Sequence, residues 1–161
     1  MKKLLGMILT LALAAGLAWP VYAESSTVPP EVTAHAYLVM DAQTGQVLVQ
    51  KGGAERNYPA SITKIMTLAL AMEKCGGDMT QQVTVSPDAV YSLEAGSSHV
   101  ALQPGEVVSL NDLFHATILA SANDAANVLA EYTAGSMEAF VELMNAKAAE
   151  LGLAGTHFVN A

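Results

Sequence analysis

Cysteine, positive charge and metal-binding histidine patterns are scarce in this sequence, and each shortage excludes a class of protein. Cys75 is the only cysteine, so no internal disulfide can form, and we expect it to be a packing residue. Lys and Arg number 7 against 15 Asp and Glu, and the net charge of −8 argues against nucleic acid or an anionic membrane surface as a partner. The histidines lack a ligand spacing such as His-Glu-x-x-His, so we expect no metal and no cofactor. They are His35, His99, His115 and His157.

The first 23 residues have the organisation of a secretory signal peptide. Two lysines precede an apolar run over residues 4–19, and a small-residue cleavage site ends at Ala23. The run is short for a bilayer span and ends at Pro20, which argues against a membrane anchor. We therefore predict an exported, extracytoplasmic protein, in the periplasm or at the outer face of the cytoplasmic membrane or the cell wall. Its predicted parts are a signal peptide at 1–23, a polar lead-in at 24–33 and one domain at 34–161.

Local patterns predict a mixed α/β chain. Alternating apolar residues predict strands over 36–41 and 46–50, joined at Thr44-Gly45 as a hairpin. Residues 98–109 are predicted to form a hairpin-like excursion that turns at Pro104-Gly105. Serine-led signals predict further helices: a short one after Ser86, and longer ones over 110–120, 122–132 and 137–151. The capping boxes are Ser109-x-x-Asp112 and Ser121-x-x-Asp124, and Ser136 caps the last helix.

The segment Pro59-Ala60-Ser61-Ile62-Thr63-Lys64 opens another predicted helix. Pro59 favours a helix entrance and Gly76-Gly77 closes the run, so we predict that the helix begins at Ser61. A spacing of three residues places Lys64 one turn on, where its amine can accept the proton of the Ser61 hydroxyl. The N-terminus of a helix also favours a developing oxyanion. This arrangement is typical of a nucleophile and its base.

Ser-x-x-Lys alone is weak evidence, because both residues are common. The alternative is that Ser61 only caps the helix and that Lys64 is a solvated lysine of the first turn. The helix after Lys64 is apolar nearly all round, which predicts that it is buried. A lysine in its first turn is then partly desolvated, which lowers its pKa and raises the fraction of free amine.

A second candidate is Ser121-Ala122-Asn123, at a predicted break between two helices. A loop at such a break can present a hydroxyl and a carboxamide to a cleft. The alternative is that Ser121 caps the following helix together with Asp124. Since Ser109-Leu110-Asn111 matches Ser-x-Asn equally well, the tripeptide by itself decides nothing.

Several segments together carry a resemblance to a known family. They are Asp41-Ala42-x-Thr44-Gly45-x-Val47-Leu48, Pro59-Ala60-Ser61-x-Thr63-Lys64-x-Met66-Thr67, Gly96-Ser97-Ser98, Ser121-x-Asn123-Asp124-Ala125-Ala126 and His157-Phe158-x-Asn160. In this order and spacing the chain resembles the serine D-alanyl-D-alanine carboxypeptidases, the low-molecular-mass penicillin-binding proteins. The resemblance implies an α/β (α+β) fold of the β-lactamase and penicillin-binding-protein type. Residues 34–161 would form the N-terminal hairpin of its sheet and most of its helical subdomain.

The resemblance also implies roles for four residues. Ser61 would attack the peptide bond between the terminal D-alanines of a peptidoglycan stem peptide, with Lys64 as general base. Ser121 would relay the proton to the leaving D-alanine, and Asn123 would hold the substrate amide and help to orient Lys64. Water would then hydrolyse the acyl-enzyme, and β-lactams would act as inhibitors. The family's anchoring helix, when present, is C-terminal, so these residues carry no prediction about membrane attachment.

The family's third motif, Lys-Thr-Gly, is absent from this sequence. In the family it lies on a downstream strand and supplies an oxyanion-hole N–H, a contact to the substrate carboxylate and a positive charge near the base lysine. Loss of one oxyanion donor costs roughly 100- to 1,000-fold in rate. We therefore predict that 34–161 is the N-terminal part of a carboxypeptidase domain with an incomplete sheet. We expect residues 24–161 alone to be poorly folded or inactive.

Two alternatives stay open. A class A-like β-lactamase shares Ser-x-x-Lys, but it usually has Asp in the middle of the second motif, where this chain has Ala122. It also uses a glutamate for deacylation, which residues 157–160 do not offer. The other alternative is a non-catalytic exported protein that binds the cell wall or a partner, with Ser61 as a helix cap.

Overall fold

The computed structural model describes residues 31–161, which fall into two compact units divided between Glu55 and Arg56. The predicted signal peptide at 1–23 and most of the lead-in at 24–33 lie outside the described residues, and both stay predictions.

The first unit is the predicted antiparallel hairpin. Strand β1 (Tyr37–Met40) pairs with strand β2 (Val47–Lys51), and the register shifts by a bulge between Val39 and Met40. At the turn, the Asp41 carboxylate accepts hydrogen bonds from the backbone N–H and the hydroxyl of Thr44. Leu38 and Val39, which point to opposite faces of the strand, are each 50% exposed. The hairpin therefore presents apolar surface on both faces.

The second unit is mainly helical. Its elements are a 3₁₀ turn (Ala60–Thr63), α1 (Lys64–Cys75), β3 (Gln82–Thr84), α2 (Pro87–Tyr91), β4 (Val107–Ser109), α3 (Leu110–Leu119), α4 (Asn123–Ala134) and α5 (Met137–Glu150). Helix α4 is the centre of this unit, because it packs against each of the other four helices and every residue from Asp124 to Ala130 is buried. Within residues 31–161 no helix has the length and apolarity to cross a bilayer.

Three of the predicted helix starts are confirmed by side-chain caps. The hydroxyls of Ser86, Ser109 and Ser136 each accept a hydrogen bond from the backbone N–H three residues later. Such a bond satisfies one of the donors that the first turn of a helix leaves free. These caps fix where α2, α3 and α5 begin.

Two predicted helix starts are wrong. Helix α1 begins at Lys64 and not at Ser61, which lies in the preceding 3₁₀ turn and caps nothing. Ser121 does not cap α4 either. Ala122 occupies the N-cap position, and no side chain forms a cap hydrogen bond there. Ser121 instead has a left-handed backbone with a φ of 52°, which is rare outside glycine. Both serines are thus free for other contacts.

The prediction for residues 98–109 is correct at the turn and wrong in its pairing. The chain turns at Pro104-Gly105, where Gly105 has a φ of 85°. Strand β4 pairs, however, with β3, which the sequence did not predict, and Val83 lies opposite Val108. A three-residue strand is too short to show an alternating pattern.

Helix α1 was predicted to be buried on all sides, and this prediction is wrong. Thr67, Leu70 and Ala71 are buried, whereas Ile65 is 63% exposed and Met72 is 42% exposed. The exposed side lines an apolar groove with helix α3. Its lining residues are Ile65, Leu68, Ala69, Met72, Phe114, His115 and Ile118.

Candidate active site

The Ser61 hydroxyl is presented to solvent at the start of the helical unit. The residue lies in the 3₁₀ turn between Pro59 and Lys64, and Ala60 before it has a left-handed backbone with a φ of 50°. Because the hydroxyl makes no cap, it is free to contact another chain segment. Its Oγ lies 2.7 Å from Ser121 Oγ, sixty positions later in the chain.

Lys64 is buried, with only 5% of its surface exposed. Its Nζ donates a hydrogen bond of 2.8 Å to Asn123 Oδ1. None of the ion pairs among residues 31–161 involves Lys64. Burial without a carboxylate partner disfavours the ammonium form, and it lowers the pKa of Lys64 below its usual value of 10.5. The alternative of a solvated first-turn lysine is therefore wrong, and the predicted desolvation is confirmed.

One short turn contacts both residues. Ser121 and Asn123 flank the buried Ala122, so that one end of the turn meets Ser61 and the other meets Lys64. The left-handed conformation at Ser121 lets the chain reverse sharply between α3 and α4. A non-glycine residue held in this conformation is strained, and such strain is concentrated at functional sites.

The four predicted site residues are thus brought together from two segments. Ser61 and Lys64 meet Ser121 and Asn123 through two hydrogen bonds. Among the described residues no hydrogen bond joins Lys64 Nζ directly to Ser61 Oγ. Catalytic hydrogen bonds often tighten only when substrate binds, so this geometry is compatible with a base and its nucleophile. No group of three or more His, Cys, Asp or Glu in residues 31–161 is arranged to hold a metal ion.

Two residues beside the site were not predicted to belong to it. The Ser98 carbonyl accepts hydrogen bonds from both the backbone N–H and the Nδ2 of Asn123. Asp124, which was assigned to a capping box, is buried and instead binds the backbone of residues 100–102. Ser98 ends the Gly96-Ser97-Ser98 segment, and Asp124 follows Asn123 directly. Their places in these segments were the only indication in the sequence that they lie near the site.

Comparisons with known proteins agree with this architecture. The family described as D-alanyl-D-alanine carboxypeptidase matches residues 23–161. DacC of Escherichia coli, a D-alanyl-D-alanine carboxypeptidase, is 42% identical over 142 residues, which are 84% of this chain and 36% of that protein. DacF of Bacillus subtilis is 34% identical over 163 residues, which are 99% of this chain and 42% of that protein.

Solved structures show the same fold. Penicillin binding protein 6B from Escherichia coli aligns with a TM-score of 0.77 and 37% identity, over 85% of this chain and 45% of that chain. Penicillin binding protein 5 from Haemophilus influenzae aligns with a TM-score of 0.74 and 36% identity, over 82% of this chain and 39% of that chain. The predicted fold class is confirmed.

The chain belongs to the D-alanyl-D-alanine carboxypeptidase family. It spans 36% of DacC and 42% of DacF.

Proposed function

We propose that the full-length gene product is a serine D-alanyl-D-alanine carboxypeptidase that trims the terminal D-alanine from peptidoglycan stem pentapeptides. The observation that carries this proposal is that one turn, residues 121–123, contacts both the exposed Ser61 hydroxyl and the buried Lys64 amine, which has no carboxylate partner among the described residues. A nucleophilic serine needs a nearby base, and a lysine serves as one only when its environment favours the free amine. The shared turn and the lowered pKa of Lys64 support both conditions.

Acylation begins when Ser61 Oγ attacks the carbonyl carbon of the penultimate D-alanine. Lys64 accepts the hydroxyl proton, and the carbonyl oxygen becomes an oxyanion. When the C–N bond breaks, the proton passes from Lys64 through the Ser121 hydroxyl to the leaving amine. D-alanine departs and the shortened stem peptide stays bound to Ser61 as an ester.

Deacylation uses the same groups in reverse order. Water attacks the ester carbonyl, Lys64 accepts a proton from that water, and the C–O bond to Ser61 breaks as Oγ is protonated. Asn123 would act in both steps: its Oδ1 accepts a hydrogen bond from the Lys64 amine, and its carboxamide would hold the substrate amide.

Two further features support an extracytoplasmic role and sensitivity to β-lactams. The predicted signal peptide at 1–23 would export the protein to where peptidoglycan is assembled. The solved relatives are named penicillin binding proteins, and a β-lactam presents its strained amide to the same nucleophile. We therefore propose that penicillin acylates Ser61.

Release of D-alanine from a pentapeptide ending in D-Ala-D-Ala tests the proposal, with Ser61→Ala as the inactive control. A second peptide ending in D-Ala-L-Ala tests selectivity for the terminal residue. We expect release from the first peptide only, and none with Ser61→Ala. Equal release by Ser61→Ala would contradict the mechanism. Rapid turnover of penicillin without peptide hydrolysis would instead favour a β-lactamase, and inertness to both substrates would favour a binding protein.

A further inference from the structure

Asp124 is a buried carboxylate that the proposed reaction does not use. It is 1% exposed, and none of the ion pairs among the described residues includes it. Its oxygens accept hydrogen bonds from the backbone N–H groups of Val100, at 3.2 Å, and of Leu102, at 3.0 Å. The N–H of Ala125 donates a third, at 2.9 Å. A carboxylate satisfied by backbone donors alone joins the chain segments that carry them.

These bonds tie loop 98–102 to the N-terminus of α4. The loop is irregular, with a left-handed backbone at Ala101, and it lacks the ladder bonds of a strand. Oδ2 accepts from the N–H groups of both Val100 and Leu102, and Oδ1 accepts from those of Val100 and Ala125. An asparagine could keep its oxygen toward Val100 and Leu102 while its NH₂ group faced Ala125, so only removal of both oxygens frees the loop.

The loop in turn fixes the orientation of Asn123. The Ser98 carbonyl accepts two hydrogen bonds from Asn123, one from Nδ2 at 3.0 Å and one from the backbone N–H at 2.8 Å. With Nδ2 committed to Ser98, the carboxamide must present Oδ1 to Lys64. If the Ser98 carbonyl moved, the carboxamide could rotate and present a donor to the lysine amine, which is itself a donor.

We propose that Asp124 is a positioning residue for acylation: by holding loop 98–102 it fixes the Ser98 carbonyl, which orients the Asn123 carboxamide toward Lys64. The inference rests on the proposed function and adds to it a residue that does not touch the reacting atoms. Asp124 acts on the reaction only by orienting Asn123. A residue that merely supported the fold would affect the rate whether or not Asn123 was present.

A double-mutant cycle on the full-length gene product tests the route, with the rate of acylation by a fluorescent penicillin as readout. The proteins compared are the wild type, Asp124→Leu, Asn123→Ala, the double variant and the control Asp112→Leu. Asp112 also lies in the first turn of a helix, but it is exposed. Thermal melting of each variant sets a working temperature at which all are folded. If Asp124→Leu does not fold, Asp124→Ala, which also lacks both oxygens but is smaller, replaces it.

We expect Asp124→Leu to slow acylation by about 10- to 100-fold, as small misplacements of catalytic groups do, while Asp112→Leu stays within about twofold of the wild type. Since both changes act on the same carboxamide, the double variant should be no more than about threefold slower than Asn123→Ala alone. Full additivity in the double variant, or a wild-type rate for Asp124→Leu, would overturn the inference and leave the proposed function intact. A wild-type protein that is never labelled would overturn both.

Discussion

Replacement of Lys64 by methionine should separate the activity of this site from its stability. Methionine keeps an unbranched chain that can occupy the same space but removes the buried amine and its hydrogen bond to Asn123. Loss of a hydrogen bond of this kind costs about 1 to 3 kcal/mol. Against this, the variant no longer buries a group whose charged form carries an effective penalty of several kcal/mol.

The lost hydrogen bond and the removed burial penalty nearly offset each other. Whether the variant is more or less stable then depends on Asn123, which loses its partner. Asn123 is half-buried, so its Oδ1 can bind water once the amine is gone. We therefore expect the free energy of unfolding to stay the same or to rise by up to about 2 kcal/mol. The acylation rate should fall by about 100- to 10,000-fold, the usual contribution of a general base.

Urea unfolding and penicillin labelling of the same preparations measure both quantities. Lys74→Met is the matched control, because Lys74 is exposed in the last turn of the same helix. It should retain the wild-type acylation rate, with a small loss of stability from the helix dipole. A Lys64→Met protein that acylates within tenfold of the wild type would refute the assignment of the base. A loss of stability above about 3 kcal/mol would refute the argument that the buried amine is a burden on the fold.

Three further predictions follow from the same geometry. Because burial lowers the pKa of Lys64 below 10.5, the acylation rate should rise with pH through that lowered pKa and then level off; a rate that is flat from pH 5 to 10 would contradict this. In the interval between the lowered pKa and 10.5 the unfolded chain binds more protons at this residue, so its contribution to stability should rise with pH there; the difference in stability between Lys64→Met and the wild type, measured against pH, should shrink accordingly. Ser121→Gly and Ser121→Ala should slow D-alanine release alike, since both remove the hydroxyl, but the glycine variant should be about 1 kcal/mol more stable because the φ of 52° suits glycine; equal unfolding midpoints would count against strain at Ser121.

Local chemistry made much of the fold predictable. The hairpin, its turn at Gly45 and the caps at Ser86, Ser109 and Ser136 depend on residues within a few positions of one another. Such features are predictable because both partners of each interaction lie within one short stretch of sequence. The capping box predicted at Ser121-x-x-Asp124 is wrong, because Ser121 contacts Ser61, sixty positions away, in place of a local cap.

The burial of Lys64 was predictable from its neighbours in the chain, whereas its contact with Asn123 was expected only from the family resemblance. The apolar composition after Lys64 indicated desolvation, and the structure agrees. The same composition overstated the burial of Ile65 and Met72, since periodicity shows which faces are apolar but not which of them are covered. The link from Asp124 to Asn123 runs through an irregular loop and three backbone groups, so it leaves no side-chain pattern to recognise.

Peptide mapping after exposure of the full-length gene product to penicillin tests the central claim most directly. We expect one adduct with the full mass of the antibiotic, on the peptide that contains Ser61, and no adduct in Ser61→Ala. An adduct on another residue, or labelling that survives Ser61→Ala, would contradict the assignment of the nucleophile.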